Sequence, residues 1–328
     1  MKKKPTLVIY HPLMAVEGYP VLAGRVQPAF DYLEQTGTLS SSSVKVEQAS
    51  EVKEELLLSV HTPNHIKRVK GSGYDPASLV SGGAAVRAGE AVWRGEAANA
   101  FAFTGCAGHH ASRDSFWGFC YYNNSALLVR QLQQKYGVKR FFIVDTDPHP
   151  GDGTRDTLGD DEGVYHLNFE ASFRESFDTV TLRHVDVPFP SNSSDETFVE
   201  AMRRLVIPWA RRIQPNMILW NMGHDAHALD YGGFNLSLRA FPAMTDILLQ
   251  AAEEVCSGHL VVLLSGGSEV SVAKHAISGI IRKLAGLPQL IADIEDEPVT
   301  ESKNTKQLAR ELVDKILAKL ELGEELLI

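Results

Sequence analysis

The chain has 328 residues, of which 44% are hydrophobic and 22% are charged, and its formal net charge is −9. This composition is typical of a globular protein with a large core, and the acidic balance argues against a nucleic-acid-binding surface. No apolar stretch approaches the roughly 18 residues that cross a membrane, and the first residues predict a strand, not a signal peptide. Three widely spaced cysteines form neither a disulfide framework nor a zinc knuckle, which favours a reducing, cytoplasmic setting.

Strands and helices alternate along the chain. Continuous apolar runs predict strands at residues 6–10, 44–46, 100–104, 141–144, 163–168, 217–221 and 260–264. Helical patterns lie at residues 25–36, 51–60, 64–69, 81–95, 125–135, 197–212, 241–255 and 270–284, with a last amphipathic helix at about 304–322. The predicted fold class is α/β: an open, mostly parallel sheet of about eight strands with helices on both faces, in a single domain over residues 1–328.

Four of the predicted strands end in polar residues. In chain order these segments are HH at 109–110, DTDPH at 145–149, HDAH at 224–227 and SGGS at 265–268. Within the second segment, Asp145, Asp147 and His149 alternate, so their side chains share one face of an extended backbone. The carboxyl ends of parallel strands meet at one edge of a sheet, where ligands bind. We therefore expect the four segments to lie close together.

The side chains in these segments suit metal-assisted hydrolysis. Asp147, His149 and Asp225 would form an O/N/O set for a divalent transition metal, usually zinc in hydrolases, with positions left open for water and substrate. His109 and His110 would supply a general base and a general acid. Each segment alone is as easily explained by a polar turn, a helix cap or a surface loop. Their joint occurrence at successive strand ends favours a site.

Several longer motifs resemble those of the histone deacetylase family, including its bacterial acetoin-utilisation and acetylpolyamine amidohydrolase branches. The segments that carry the resemblance are HTPNHI, AGHHASRDSFWGFCYYNN, VDTDPHPGDGT and GHDAHALDYGGFNLS, and the resemblance itself runs from about residue 11 to residue 284. The resemblance implies an open parallel α/β sheet related to arginase, one Zn²⁺ per chain and amide hydrolysis. An arginase-type site with two metals is a further hypothesis, although the paired-metal motifs of arginase are absent.

The resemblance also assigns roles by position. It implies zinc ligation by Asp147, His149 and Asp225, pairing of His109 with Asp145 and of His110 with Asp152, and a structural K⁺ near Asp145, Asp147 and Asn168. It implies substrate contacts by Asp75, which would hold the substrate backbone, by Phe119, which would form a wall of the acyl channel, and by Gly118 and Gly267. The two Asp–His contacts would orient the imidazole rings.

The main departure from the family pattern is Ser268, which stands where active members usually have a tyrosine that donates to the developing oxyanion. A serine side chain is too short to replace it, and removing one such donor typically costs about 10²–10³ in rate. Another residue could fill the gap, with Tyr19, Tyr231 and His224 as candidates. Otherwise the substrate needs less assistance, or turnover is low.

We therefore predict a zinc-dependent deacylase acting on a small acylated substrate, acetyl-lysine-like or acetylpolyamine-like, with no nucleic-acid or membrane partner. The alternative prediction is a catalytically weak, metal-dependent module that binds acyl ligands, because of Ser268. A homo-oligomer is a further expectation, since the apolar end of the chain, residues 326–328, could dock on a partner subunit.

Overall fold

The computed structural model describes residues 4–171, 182–292, 294, 296–298 and 300–321. Across these residues, eight strands form one sheet in which every pairing is parallel. The strands are β1 (Thr6–Tyr10), β2 (Val44–Gln48), β3 (Asn99–Ala102), β4 (Phe141–Asp145), β5 (Val164–Ala171), β6 (His184–Phe189), β7 (Met217–Met222) and β8 (Leu260–Leu264). Their order across the sheet is β2-β1-β3-β8-β7-β4-β5-β6. The predicted parallel α/β fold is confirmed.

Helices connect the strands and cover the sheet. They are α1 (Leu13–Val16), α2 (Pro20–Gln35), α3 (Glu54–Leu58), α4 (Pro63–Lys70), α5 (Asp75–Trp93), α6 (Asn124–Tyr136), α7 (Asp152–Leu158), α8 (Asp195–Ile213), α9 (Ala240–Cys256), α10 (Val270–Leu284) and α11 (Lys303–Lys319). The sequence-based starts of α2 and α5, at residues 25 and 81, were too late. Both helices begin with proline in their first turn, where its fixed φ and missing N–H are tolerated.

The sequence analysis did not predict strand β6 or the two short helices α1 and α7. β6 alternates polar and apolar residues and contains Pro188, which argues against a central strand. It lies at the edge of the sheet and pairs with β5 alone, so a proline costs little there. α7 has only seven residues and no apolar stripe of useful length.

The sheet order places the functional segments side by side. β3, β8, β7 and β4 are consecutive in the sheet, and these are the four strands that the polar segments follow. β4, β7 and β8 are completely buried along their lengths, which fixes the positions of the segments that leave them. The sheet therefore gathers the polar segments at one edge, as expected.

Helix α11 packs against α8, with an ion pair of 2.7 Å between Arg204 and Asp314. The predicted docking segment at residues 326–328 lies outside the described residues. No helix in the described part of the chain is long and apolar enough to span a bilayer. The single-domain and homo-oligomer predictions stay predictions.

Candidate metal centre

A cavity of about 340 Å³ opens at the carboxyl edge of the sheet. Its lining combines predicted site residues with apolar and aromatic side chains: Val21, Ala107, His109, His110, Trp117, Gly118, Phe119, Asp147, His149, Asp225, Tyr231 and Gly266. Larger cavities lie elsewhere on the surface, but neither of these contains the histidine and aspartate segments that follow the strands. Chemistry, not size, therefore selects this cavity as the candidate site.

The structure brings the three predicted metal ligands together. One ligand atom from each of Asp147, His149 and Asp225 lies within 4.8 Å of the others. His149 Nδ1 is 2.8 Å from Asp147 Oδ1 and 3.3 Å from Asp225 Oδ2. The turn after β4 is shaped locally, because the backbone N–H of Asp147 donates to Asp145 Oδ1 and that of His149 donates to Asp147 Oδ1. No second cluster of this kind occurs among the described residues, and the two-metal hypothesis stays a prediction.

The environment of Asp225 fits a bound cation. Both of its carboxylate oxygens are buried and have no hydrogen-bond partner of good geometry among the described residues. The nearby His149 Nδ1, at 3.3 Å from Asp225 Oδ2, is engaged with Asp147. Burial, together with the neighbouring Asp147 carboxylate, raises the pKa of Asp225 to about 7. Two buried carboxylates without sufficient counter-charge are costly. A divalent cation that accepts oxygen and nitrogen ligands would remove that cost.

Close backbone approach is also built into this centre. A Cβ at Gly266 would lie 2.2 Å from Asp225 Oδ2 and 2.5 Å from Asp147 Oδ2. The glycine instead allows its backbone N–H to donate to Asp147 Oδ2 at 2.7 Å, and the Ser265 hydroxyl donates to the same oxygen at 2.8 Å. The segment after β8 therefore fixes one oxygen of Asp147 and leaves the Asp225 carboxylate free for a ligand.

His109 is held by the carboxylate predicted for it. Its Nδ1 is 3.1 Å from Asp145 Oδ2, and Asn221 Nδ2 donates to the same oxygen at 3.1 Å. His109 Nε2 is 3.5 Å from Asp147 Oδ2. Burial alone would lower the pKa of His109, but the Asp147 and Asp145 carboxylates outweigh it and raise the pKa to about 9 in the metal-free chain.

His110 is likewise held by its predicted partner, in a more open setting. Its Nδ1 is 2.8 Å from Asp152 Oδ1, while Trp117 Nε1 donates to Asp152 Oδ2 at 2.9 Å. The Trp117 ring stacks on His110 with centroids 3.7 Å apart. Burial, and then the charge of His109, lower the pKa of His110 to about 4. The two histidines are thus biased toward different protonation states, as in other acid–base pairs.

The lack of a side chain at Gly118 allows the backbone of the cavity wall to approach the His110 ring closely. It has a φ of +57°, and a Cβ there would lie 2.3 Å from His110 Cδ2. Phe119, which follows it, has a φ of +65° and lines the cavity. Both residues were predicted to contact substrate, and both lie at the cavity.

Two other predicted substrate contacts lie elsewhere. Asp75 is the first residue of α5 and accepts a hydrogen bond from Tyr122 Oη at 2.7 Å; it is not among the cavity-lining residues. Gly267 is not among them either, but its N–H donates to Tyr231 Oη at 3.2 Å. The structure therefore does not bring Asp75 to the candidate metal ligands. The contact of Asp75 with the substrate backbone stays a prediction.

Ser268 does not line the cavity. Its hydroxyl donates to Asp230 Oδ1 at 3.1 Å, and its backbone N–H donates to Asp230 Oδ2 at 2.9 Å. Of the three residues considered as replacements for the tyrosine, Tyr231 lines the cavity, whereas Tyr19 and His224 do not. His224 Nε2 accepts from Arg25 Nη1 at 3.1 Å.

Arg25 is a site-supporting residue that sequence reasoning missed. It is wholly buried, and its guanidinium donates to the backbone carbonyls of Ser265 and Gly267. Nothing in the α2 sequence distinguishes this arginine from a solvent-exposed one. Trp117 was missed as well, although its place in the HHASRDSFWGF segment was a usable signal.

Asn168 occupies the position expected for a second cation site. It pairs in register with Asp145 across β4 and β5, and its Oδ1 is buried with no hydrogen-bond partner among the residues that the structure describes. An unpaired buried acceptor beside Asp145 is compatible with a monovalent cation. The K⁺ assignment stays a prediction.

Residues 19–284 match the family described as the histone deacetylase domain. The chain belongs to the histone deacetylase family. It is 27% identical over 280 residues to the histone deacetylase-like amidohydrolase of Pseudomonas aeruginosa, covering 77% of this chain and 74% of that protein. It is 29% identical over 294 residues to a probable deacetylase of Archaeoglobus fulgidus, covering 82% of each. The crystal structure of the HDA15 HD domain shares the fold, with a TM-score of 0.83 and 21% identity over 97% of both chains.

Membership confirms the resemblance inferred from the motifs. The family is metal-dependent, and the cluster of Asp147, His149 and Asp225 supplies this member with a potential metal site.

Proposed function

We propose that the chain is a zinc-dependent deacylase that hydrolyses an acyl-amide of a small acylated substrate, acetyl-lysine-like or acetylpolyamine-like. The observation that carries the proposal is the meeting of the Asp147, His149 and Asp225 cluster with His109 and His110 in one cavity. The names of the bacterial and archaeal relatives, an amidohydrolase and a probable deacetylase, support the same class of reaction.

Asp147, His149 and Asp225 would hold one zinc ion. When bound there, zinc would polarise the acyl carbonyl and lower the pKa of a water molecule. The backbone of Gly266 and the hydroxyl of Ser265 keep Asp147 in place for this role. K⁺ near Asp145, Asp147 and Asn168 is a second, structural part of the proposal.

The two histidines would move the protons of the reaction. Each has Nδ1 beside a carboxylate, His109 beside Asp145 and His110 beside Asp152. This leaves Nε2 of each ring as the nitrogen that faces the reacting groups. One histidine would take the proton of the attacking water, and the other would protonate the leaving amine. The carboxylates orient both rings and stabilise whichever imidazole is charged.

The walls of the cavity suit a neutral acyl group on an apolar stem. Val21, Ala107, Phe119 and Trp117 contribute apolar or aromatic surface close to the histidines. A hydrocarbon stem would be bound mainly by burial, at about 25 cal/mol per Å² removed from water. The acidic net charge of −9 favours polyamine-like, cationic substrates over nucleic-acid-bound ones.

The test is a substrate panel with zinc-loaded protein: an acetyl-lysine peptide, acetylpolyamines and an acetyl ester. We expect turnover of at least one compound and a loss of about 10²–10⁴ in kcat for His110→Ala, with zinc content unchanged. Asp225→Ala should lose the zinc. His259→Ala is the matched control, because His259 binds the Asn216 carbonyl away from the cavity, and it should keep both zinc and activity.

The alternative is a catalytically weak, metal-dependent module that binds acyl ligands. It is favoured by Ser268, whose hydroxyl is turned to Asp230 and does not line the cavity. Stoichiometric zinc and acyl-ligand binding without turnover of any panel member would select this alternative. Turnover that depends on His110 would exclude it.

A further inference from the structure

Tyr231 is the one hydroxyl-bearing side chain among the described residues that line the cavity. It follows Asp225 by six positions, in the loop between β7 and α9. Its ring centroid is 5.6 Å from that of His149, so the phenol lies beside the candidate metal ligands. The residue is 45% exposed, as expected for a wall that a substrate would cover.

The hydrogen bond made by Tyr231 leaves its own proton available. The backbone N–H of Gly267 donates to Tyr231 Oη at 3.2 Å, so the phenol oxygen acts as the acceptor. A phenol can also donate one hydrogen bond, and none of the described residues accepts it. Burial, and then the Asp225 carboxylate, raise the pKa of this phenol above its ordinary value, so it keeps the proton at neutral pH. Tyr231 therefore presents an unused donor at the cavity.

A buried network holds the backbone around Tyr231 in place. Asp230, the preceding residue, accepts the backbone N–H groups of Ser268 and Glu269, each at 2.9 Å. Its carboxylate is 3.0 Å from His224 Nδ1. Arg25 donates hydrogen bonds to His224 Nε2 and to the backbone carbonyl of Gly267, which precedes Ser268. A donor fixed in advance by such contacts stabilises developing charge without a reorganisation cost.

We propose that Tyr231 Oη donates a hydrogen bond to the acyl carbonyl oxygen of the substrate as that oxygen takes on negative charge. The proton stays on the phenol, and no bond to Tyr231 forms or breaks. Tyr231 thereby fills the role that the side chain of Ser268 is too short to perform. This proposal rests on the proposed deacylase function.

Two measurements on zinc-loaded full-length protein test the proposal: steady-state kinetics on the best panel substrate, and calorimetric binding of an acyl-site trifluoromethyl ketone, whose hydrate carries the tetrahedral oxygens. Tyr231→Phe should lower kcat by about 10²–10³ with little change in KM or zinc content. It should weaken ketone binding by about tenfold or more, as loss of a hydrogen bond to a charged oxygen does. Tyr19→Phe is the matched control, since the Tyr19 ring stacks on Phe119 but does not line the cavity.

The outcomes separate this proposal from the proposed function. Turnover by the wild type with Tyr231→Phe within a few-fold overturns the role of Tyr231 and leaves the deacylase intact. An equal loss in Tyr19→Phe overturns it too. If the wild type hydrolyses none of the panel substrates, the proposed deacylase function is wrong. The role of Tyr231 as a donor is then tested by ketone affinity alone. Weaker binding by Tyr231→Phe then supports the donor, whereas equal affinity, or no binding by the wild type, overturns it.

Discussion

Replacing Asp225 by asparagine should make the metal-free chain more stable while abolishing its metal site. The carboxylate is buried, has no hydrogen-bond partner of good geometry in the described part of the chain and lies beside Asp147. Its pKa rises from 3.8 to about 7. Because a tenfold change in proton affinity corresponds to about 1.4 kcal/mol, this rise costs the folded state about 4 kcal/mol at most. Asp225→Asn removes the charge and nearly preserves the shape.

The sign follows from the direction of the shift. The folded pKa lies above the unfolded one, so the penalty is absent below about pH 4, grows up to about pH 7 and is complete above it. Urea unfolding in EDTA at pH 8 should therefore show Asp225→Asn more stable than the wild type by up to about 4 kcal/mol. At pH 5 the difference should fall to less than half of that. In saturating zinc the order should reverse, because only the wild type gains binding free energy.

Asp230→Asn is the matched control, with the same chemical change and the opposite expectation. Asp230 accepts hydrogen bonds from the backbone of Ser268 and Glu269 and from the Ser268 hydroxyl, and the pKa of its carboxyl is lowered despite burial because His224 faces it. Hydrogen bonds to charged groups are worth about 1.5–3 kcal/mol each, so this variant should lose about 2 kcal/mol or more. If Asp225→Asn were also destabilised in EDTA at pH 8, Asp225 would carry no electrostatic penalty and the reasoning would be refuted.

Two further predictions use residues around the site. Trp117→Phe keeps a ring to stack on His110 but removes the Nε1 bond to Asp152, so kcat should fall by about tenfold with zinc content unchanged; a kcat equal to that of the wild type would contradict a role for that bond. Burial, and then the charge of a neighbouring histidine, lower the pKa of His61 to about 3, so stability should decline as pH falls below about 6.5 toward 3; His61→Gln should reduce the slope of unfolding free energy between pH 6 and 4 by about 1.4 kcal/mol per pH unit, and an unchanged slope in urea titrations would contradict it.

The grouping of the candidate metal ligands could be predicted because the signals of these residues are local. Asp147 and His149 share a face two positions apart, directly after a buried apolar strand, and their contact follows from the geometry of that turn. Parallel strands bring their carboxyl ends to one edge, so the HDAH segment could be placed beside them without coordinates. The pairing of His110 with Asp152 was available from the motifs.

The remaining features depend on contacts between distant parts of the chain. Arg25 is buried and donates to the backbone carbonyls of Ser265 and Gly267. The residue periodicity of α2 does not predict that this arginine is buried. Strand β6 was not predicted because it contains Pro188. Proline is tolerated there because β6 is an edge strand, and only the sheet order shows this. The presence of Ser268 in place of the family's usual tyrosine was evident from the sequence. Only the fold shows that Tyr231, 37 residues earlier in the sequence, lies at the cavity with its oxygen 3.2 Å from Gly267 N. Patterns along a chain specify which faces are buried, whereas the distance between two loops is set by how the elements that carry them pack.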